Sequence, residues 1–442
     1  MQNQNDQIMK PYIPEIETMP VDEIEKLQER KLAETLSYIS IHSKYYKDLF
    51  AKNKIDIRKI KTIKDLEIIP VTVKDDLCLH NDDFICVTKN KIIDYITTSG
   101  TLGDPVTFVM TDADLDRLAY NEYLSFACAG ATSDDVFQLM TTIDKRFMAG
   151  LAYFLGARKM GAGIVRVGNG VLEMQWDSIK RFSSTALITV PSFILKIIEY
   201  AETNDIDFKS STIKKVLCIG EPLRNPDLSS TLLAQKILSK WDIDLYSTYA
   251  STEMATAFTE CSCKQGNHHH PELIIVEFLD DNNLPVQPGE AGEVTITTLG
   301  VEGMPLLRYK TGDICYHYTT PCACGRNTMR LGSIIGRKNQ MLKYKGTTLF
   351  PQAIFDVLDH LSGIHNYVVE VTTNSIGTDD IKVIIGADFP SVEFENTIKS
   401  SFKSKLRVTP TIVFDSINKI KTIQGVEINR KPIKFIDNRK RT

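Results

Sequence analysis

Four hydroxyl side chains and two glycines crowd the stretch Thr97-Thr98-Ser99-Gly100-Thr101-Leu102-Gly103-Asp104-Pro105, directly after an apolar run that ends at Ile96. Glycine lets the backbone approach an anion closely, and hydroxyl and N–H groups donate to its oxygens, which is phosphate-binding chemistry. The stretch lacks the Gly-Lys-Ser/Thr ending of a Walker loop, so a kinase-type NTPase fold is disfavoured. Taken alone, the same residues also fit an ordinary polar turn. A second group is Cys322-Ala323-Cys324-Gly325-Arg326, two thiols one residue apart before a glycine that permits a tight turn. Upstream, Glu260-Cys261-Ser262-Cys263 precedes Gly266-Asn267-His268-His269-His270. Cysteine and histidine ligands from two separated loops suit a closed tetrahedral Zn²⁺ site of structural type. The expected ligands are Cys261, His268, Cys322 and Cys324, with Cys263 and His270 as substitutes; the alternative is free thiols beside a solvated histidine run.

These groups need elements to hold them. Residues 21–50 carry apolar side chains at helical steps, including Ile24, Leu27, Leu32, Leu36 and Ile39. After Pro70 short apolar runs alternate with longer amphipathic ones. The runs 135–140, 164–167, 186–189 and 215–219 read as buried strands, and 147–159, 192–203 and 228–241 as helices between them. Such alternation predicts α/β layering with parallel sheets. From about Glu272 the pattern turns to β, with alternation in 273–279 and 293–298 around a Pro/Gly turn at 288–292. After Gly336-Arg337 come a short strand, 340–344, and a helix, 352–361, opening a block with the size of a small α/β domain. The expected organisation is a large N-terminal α/β domain of layered sheets with a β-rich subdomain, residues 1–336, and a small C-terminal α/β domain, residues 337–442.

Bulk properties narrow the class. The 442 residues exceed one ordinary core, and 43% hydrophobic with 24% charged residues is a globular composition. A formal net charge of −4 argues against a dedicated nucleic-acid binder, although basic residues gather in 399–441. No stretch approaches the roughly 18 apolar residues of a membrane helix, and residues 1–10 lack the apolar core of a secretion signal. The expected location is the cytoplasm, and the odd number of cysteines, nine, agrees with it. Cys78, Cys86, Cys128 and Cys218 are expected merely to pack.

Further motifs follow the hydroxyl-rich loop in order: Pro191-Ser192, Gly220-Glu221-Pro222, Tyr249-Ala250-Ser251-Thr252-Glu253, Arg308-Tyr309-Lys310-Thr311-Gly312-Asp313, Gly336-Arg337 and Lys345-Gly346. In this order and at these separations the chain resembles the adenylate-forming superfamily, and within it the phenylacetate–CoA ligase family. The segment from Thr298-Leu299 to Asp313 and the lead-in Pro70-Val71-Thr72-Val73-Lys74-Asp75 resemble that family as well. The resemblance implies that Thr98, Ser99, Gly100, Thr101 and Gly103 embrace the ATP phosphates. Gly220, Glu221 and Pro222 would line the adenine pocket, with Tyr249 against the base and Ala250 and Ser251 beside it. Thr252 would touch the α-phosphate, Glu253 hold Mg²⁺, and Asp313 bind the ribose with Arg337 assisting. Residues 429–437, Asn-Arg-Lys-Pro-Ile-Lys-Phe-Ile-Asp, resemble the family's C-terminal lysine segment and nominate Lys431 as the catalytic lysine. The small domain would swing about a hinge after Gly336-Arg337 between adenylation and thioester formation.

The implied reaction joins a small carboxylic acid, an aryl acid such as phenylacetate, to CoA through an acyl-adenylate with release of AMP and pyrophosphate, with ATP, Mg²⁺ and CoA as cofactors and Zn²⁺ as a structural metal. Positive charge on Glu253-bound Mg²⁺ and on Lys431 would meet the negative charge that develops at the α-phosphate. Three departures from the family pattern stand out. Asn339 and Gln340 replace two aspartates, Arg430 replaces the glycine before the lysine, and Lys421 and Lys434 are rival lysines. The acid pocket is expected from residues 141–150 with Ala250 and Ser251; Phe147 and Met148 fit helix core equally, and Asp144, Lys145 and Arg146 admit a substituted aromatic acid. Neither nucleic acid nor membrane is an expected partner, and a homodimer stays an open option. Two alternatives remain at this point: adenylation with delivery to a carrier protein or amine, and a non-catalytic nucleotide-binding protein.

Overall fold

The computed structural model describes residues 12–98, 106–344, 347–374, 379–425 and 432–439. The chain divides into two compact units, one of residues 1–311 with 315–334, the other of 312–314 with 335–442. The division therefore falls two residues before Arg337 and assigns the short piece around Asp313 to the second unit.

After a one-turn helix, Glu15–Thr18, the first unit has helices Val21–His42 and Lys44–Lys52 where the sequence suggests one continuous helix. Ser43 separates them: its backbone is extended, and its hydroxyl accepts from the Tyr46 N–H and so caps the second helix. A hairpin follows, β1 (Asp94–Thr97) antiparallel to β2 (Thr107–Met110). The next helix, Asp112–Cys128, starts on a capping box in which Thr111 and Asp114 each accept from the other's backbone N–H.

An 11-stranded sheet then forms. Its parallel part comprises β3 (Val136–Leu139), β4 (Gly163–Arg166), β5 (Ala186–Thr189), β6 (Lys215–Ile219) and β7 (Asp244–Ser251). It continues with β8 (Thr256–Glu260), β9 (Asn267–His268), β10 (Ile274–Leu279), β11 (Ala291–Thr298), β12 (Tyr309–Tyr318) and β13 (Arg330–Arg337). The strand order is β10-β11-β12-β13-β9-β8-β7-β6-β5-β3-β4. The pairs β7–β8, β8–β9, β9–β13 and β10–β11 are antiparallel.

The parallel strands are buried on both faces, as their continuous apolar runs require. Leu187 and Val216 pack into the core on one face with the helices Leu172–Phe182 and Pro191–Thr203; Ile188 and Leu217 pack on the other with Phe126 and Tyr153. From β3 the chain moves outward to β4, then crosses back to β5 and continues to β6 and β7 on the opposite side. The topological switch lies between β3 and β5, and ligand crevices of open α/β sheets form beyond the carboxyl ends at such points. The helix expected over 228–241 is shorter, Leu232–Lys240, because the Thr231 hydroxyl caps it.

In the second unit β14 (Leu342–Tyr344) and β15 (Thr347–Leu349) form a hairpin. A four-stranded sheet follows from β16 (Ile364–Thr373), β17 (Asp379–Ala387), β18 (Thr411–Phe414) and β19 (Phe435–Asp437), in the order β18-β17-β16-β19. Helices Pro351–Asp359 and Val392–Leu406 contribute Ile354, Leu358, Ile398 and Phe402 to its core. Among the described residues no helix is long and apolar enough to cross a membrane.

Candidate active site and metal centre

The β1–β2 hairpin holds the two ends of the hydroxyl-rich loop together. Thr98 N–H donates to Val106 O at 3.0 Å, and Val106 N–H donates to Thr98 Oγ1 at 3.2 Å. Thr98 is therefore a buried latch at the loop's base. Ser99, Gly100, Thr101 and Gly103 lie outside the described residues.

Gly220, Glu221 and Pro222 follow the carboxyl end of β6, and the parallel register Ile219↔Thr248 sets Gly220 beside Tyr249 on β7. Gly220 has φ of +72°, a left-handed turn that glycine adopts without strain. Glu221 accepts from the N–H and hydroxyl of Ser192 at 2.8 and 2.9 Å, at the start of the helix Pro191–Thr203. The Pro191-Ser192 and Gly220-Glu221-Pro222 motifs thus meet. Tyr249 stacks on Phe258 at 6.0 Å. Beyond Ala250 and Ser251 the chain turns sharply: Ala255 N–H donates to Thr252 O, Met254 N–H to Ser251 Oγ, and Ala255 has φ of +45°.

Thr252 and Glu253, both half-buried on this turn, wall one small cavity with Phe108, Met110 and Met148. The strand leaving the hydroxyl-rich loop and the carboxylate turn are therefore neighbours. The segment 141–150 leaves the carboxyl end of β3 at the switch point. Lys145 and Arg146 are both left-handed there, and Arg146 O accepts from Thr97 N–H. Met148, the first residue of the helix Met148–Met160, is at once core and cavity wall.

Asp313 and Arg337 belong to the second unit, where their side chains pair at 3.2 Å. Lys431 lies outside the described residues. Of its rivals, Lys434 is engaged: its Nζ lies 3.0 Å from Tyr367 Oη, 3.5 Å from an Asp359 oxygen and 4.8 Å from the Tyr367 ring centroid. Lys421 sits in the last turn of the helix Ile417–Ile423.

The four expected metal ligands converge. One ligand atom each from Cys261, His268, Cys322 and Cys324 lies within 4.8 Å of all the others. Cys261 Sγ and Cys322 Sγ are 3.7 Å apart, and His268 Nε2 is 3.5 Å from Cys324 Sγ. Thr328 Oγ1 lies 3.2 Å from His268 Nδ1, leaving Nε2 for the centre of the group. Burial holds His268 below the ordinary imidazole range against the opposing pull of Cys324. Cys263 packs against the cluster without belonging to it.

His270 faces away from it: its Nδ1 lies 2.6 Å from Glu17 Oε1. Arg326 bridges outward, with Nη1 3.5 Å from Cys324 Sγ and Nε 2.5 Å from Glu17 Oε2. Burial opposes ionisation of Glu17, but His270 and Arg326 together hold its carboxyl below the usual range. Asn327 completes the strap by donating to the Glu17, Thr18 and Met19 carbonyls.

Three polar groups escape sequence reasoning. Arg117 donates to three carbonyls around the cavity. Glu260 on β8 accepts two bonds from Arg224, at 2.9 and 3.1 Å, and a third from Ser247 N–H. Glu122 is buried against Gly156, where an added Cβ would lie 2.4 Å from the Glu122 Cβ, and its Oε2 has no hydrogen-bond partner among the described residues. The Asp114–Arg117 spacing on one helix face is the only sequence signal for any of them.

Known proteins place the chain. The family model described as "AMP-binding enzyme" matches residues 20–303. A "Phenylacetate-coenzyme A ligase" of Thermus thermophilus is 26% identical over 385 residues, 86% of this chain and 85% of the relative. One of Aromatoleum evansii is 27% identical, covering 78% of this chain and 77% of its own. The crystal structure of a 2-hydroxyisobutyryl-CoA ligase in the postadenylation state shares the fold, with a TM-score of 0.83 at 21% identity over 97% of this chain and 94% of that one. With well over half its length matched by the family model, the chain belongs to the AMP-binding enzyme family, the adenylate-forming superfamily, on the branch of the phenylacetate–CoA ligases.

Proposed function

We propose that this chain is an ATP-dependent acid–thiol ligase that converts a carboxylic acid to its acyl-adenylate and transfers the acyl group to CoA, releasing pyrophosphate and then AMP. The observation that carries this reading is the shared cavity: the hairpin bearing the hydroxyl-rich loop and the Thr252–Glu253 turn meet beyond the carboxyl ends of the parallel strands. The loop from Thr98 to Gly103 binds the ATP phosphates, with Thr98 closing its base. Gly220, Glu221, Pro222, Tyr249, Ala250 and Ser251 line the adenine side, Asp313 and Arg337 serve the ribose, and Thr252 orients the α-phosphate.

Glu253 is the carboxylate to hold Mg²⁺; its half-buried, turn-mounted oxygens fit a hard cation shared with phosphate. When bound, that ion supplies charge neutralisation on the phosphates. Lys431 supplies the ammonium for the first half-reaction, and the engagement of Lys434 with Tyr367 and Asp359 supports this choice. The domain carrying Lys431 turns about the segment after Gly336 between the two half-reactions.

The Cys261–His268–Cys322–Cys324 group fits zinc. A tetrahedral site with Zn–S of about 2.3 Å sets its sulfurs about 3.8 Å apart, and the observed pair stands at 3.7 Å. Three thiols and one imidazole form a closed donor set, so the metal fastens the fold and leaves the chemistry to the other site. The protein works in the cytoplasm, where such thiols stay reduced.

The test is a screen of carboxylic acids by ATP–pyrophosphate exchange, repeated with CoA and thioester analysis. Acid-dependent exchange with CoA thioester formed is the expected result. Exchange without a CoA thioester assigns delivery to a carrier protein or amine, and ATP binding without exchange assigns a non-catalytic nucleotide binder.

A further inference from the structure

Arg117 stands where three segments of the first unit meet. From the helix Asp112–Cys128 its Nε donates to Leu299 O at 2.8 Å, Nη1 to Ala255 O at 2.6 Å, and Nη2 to Leu273 O at 2.6 Å and Thr256 Oγ1 at 3.2 Å. These hydrogen-bond partners are carbonyls and a hydroxyl, while the carboxylates of Asp114 and Glu272 act on the guanidinium only through space. Holding an arginine charge in a largely desolvated place without a directly hydrogen-bonded carboxylate is costly. What the guanidinium offers in return is a rigid fork of five donors that no lysine reproduces.

Its grip is local to one feature. Ala255 follows Glu253 by two residues and carries a left-handed φ of +45°, a strained conformation for alanine that its surroundings must enforce. One turn earlier on the same helix face, Asp114 accepts from the N–H groups of Glu302 and Gly303 at 2.7 and 2.8 Å. Arg117 takes the Leu299 carbonyl of that same loop, whose Val301 and Met304 line the cavity with Glu253. Asp114 and Arg117 thus fasten the loop by its donors and its acceptor, and Arg117 alone reaches on to the Glu253 turn.

We propose that Arg117 is a positioning residue for adenylation: it fixes the Thr252–Ala255 turn so that the Glu253 carboxylate is held ready for the metal–ATP complex. The inference rests on the reading of Glu253 as the Mg²⁺ ligand. It predicts a specific defect, because loosening a group that orients a ligand costs about 10- to 100-fold in metal affinity or activity.

The experiment uses the full chain as Arg117→Gln, Arg117→Lys and Arg117→Ala, with Glu253→Gln in parallel. Acid-dependent ATP–pyrophosphate exchange is titrated with Mg²⁺, using the most active acid of the screen. Thioester formation is measured separately from that acid's synthetic adenylate. The expected result is an Mg²⁺ requirement raised about 10- to 100-fold in Arg117→Gln, an unchanged KM for the acid, and a preserved second half-reaction. Added guanidinium ion should partly restore exchange in Arg117→Ala and leave Glu253→Gln unaffected. An unmoved Mg²⁺ titration, an equal fall in both half-reactions, or failure of guanidinium to restore exchange overturns the proposal. If Glu253→Gln itself leaves the Mg²⁺ titration unmoved, the Glu253 reading fails; if only the Arg117 variants do, this inference alone fails.

Discussion

Replacing Glu122 with Gln should remove a pH-dependent loss of stability. Glu122 sits on the helix Asp112–Cys128 where Gly156 of the facing helix lets the two backbones close over it. Burial raises its carboxyl from an ordinary 4.5 to about 8, opposed only by the Asn121 amide that donates to Oε1. The folded chain therefore keeps this proton up to about pH 8, while the unfolded chain releases it near 4.5. In that window the folded state binds more protons, so stability is full below the unfolded value and falls as pH rises toward the folded one.

Each pH unit inside the window costs about 1.4 kcal/mol. Between about pH 5.5 and 7.5 the wild-type chain should lose about 3 kcal/mol that Glu122→Gln keeps, since the neutral amide has the same shape and no proton to release. Urea unfolding of both proteins at the two pH values isolates the difference, because every other titrating group contributes equally to both. Parallel pH profiles for the two proteins would refute the assignment of a neutral buried carboxyl.

Cys322→Ser should drop zinc content from one ion per chain and lower the thermal midpoint, read by metal analysis and calorimetry; unchanged zinc removes the site. Lys431→Ala should depress acid-dependent pyrophosphate exchange by several orders of magnitude and spare thioester formation from supplied acyl-adenylate, whereas a normal first step would redirect attention to Lys421 or Lys434. Glu260→Gln breaks a buried ion pair whose one-sided loss costs about 3–5 kcal/mol, so its denaturation midpoint should fall sharply. An intact midpoint would show that Arg224 finds other acceptors.

The parallel strands were legible because burial on both faces writes continuous apolar runs, and the family was legible because its motifs stand in order along the chain. The convergence of Cys261, His268, Cys322 and Cys324 was legible too: thiol and imidazole are rare donors, and two close clusters of them seldom arise for packing. His270 was not separable from His268 by sequence. Residues two apart in a strand share a face, but β9 ends at His268, and only the fold shows that His270 meets Glu17. Arg117, Glu122 and Glu260 were hidden because a charged residue in an amphipathic helix or strand reads as solvated surface until its tertiary partners are known. The split of the first helix was likewise hidden, since Ser43 interrupts the chain without interrupting the apolar stripe.

The strap between Glu17 and Arg326 spans 309 positions of the chain. Protein synthesis delivers the two ends of that contact far apart in time, and domains begin to organise from their N-terminal side as they emerge. Glu17 then meets His270 before Arg326 exists, and the group of Cys261, His268, Cys322 and Cys324 is complete only once the second cysteine pair has been made. The Glu17–Arg326 contact is thus a late clasp, set after most of the first unit exists, and a chain truncated before Cys322 would keep His270 beside Glu17 but lack the arginine.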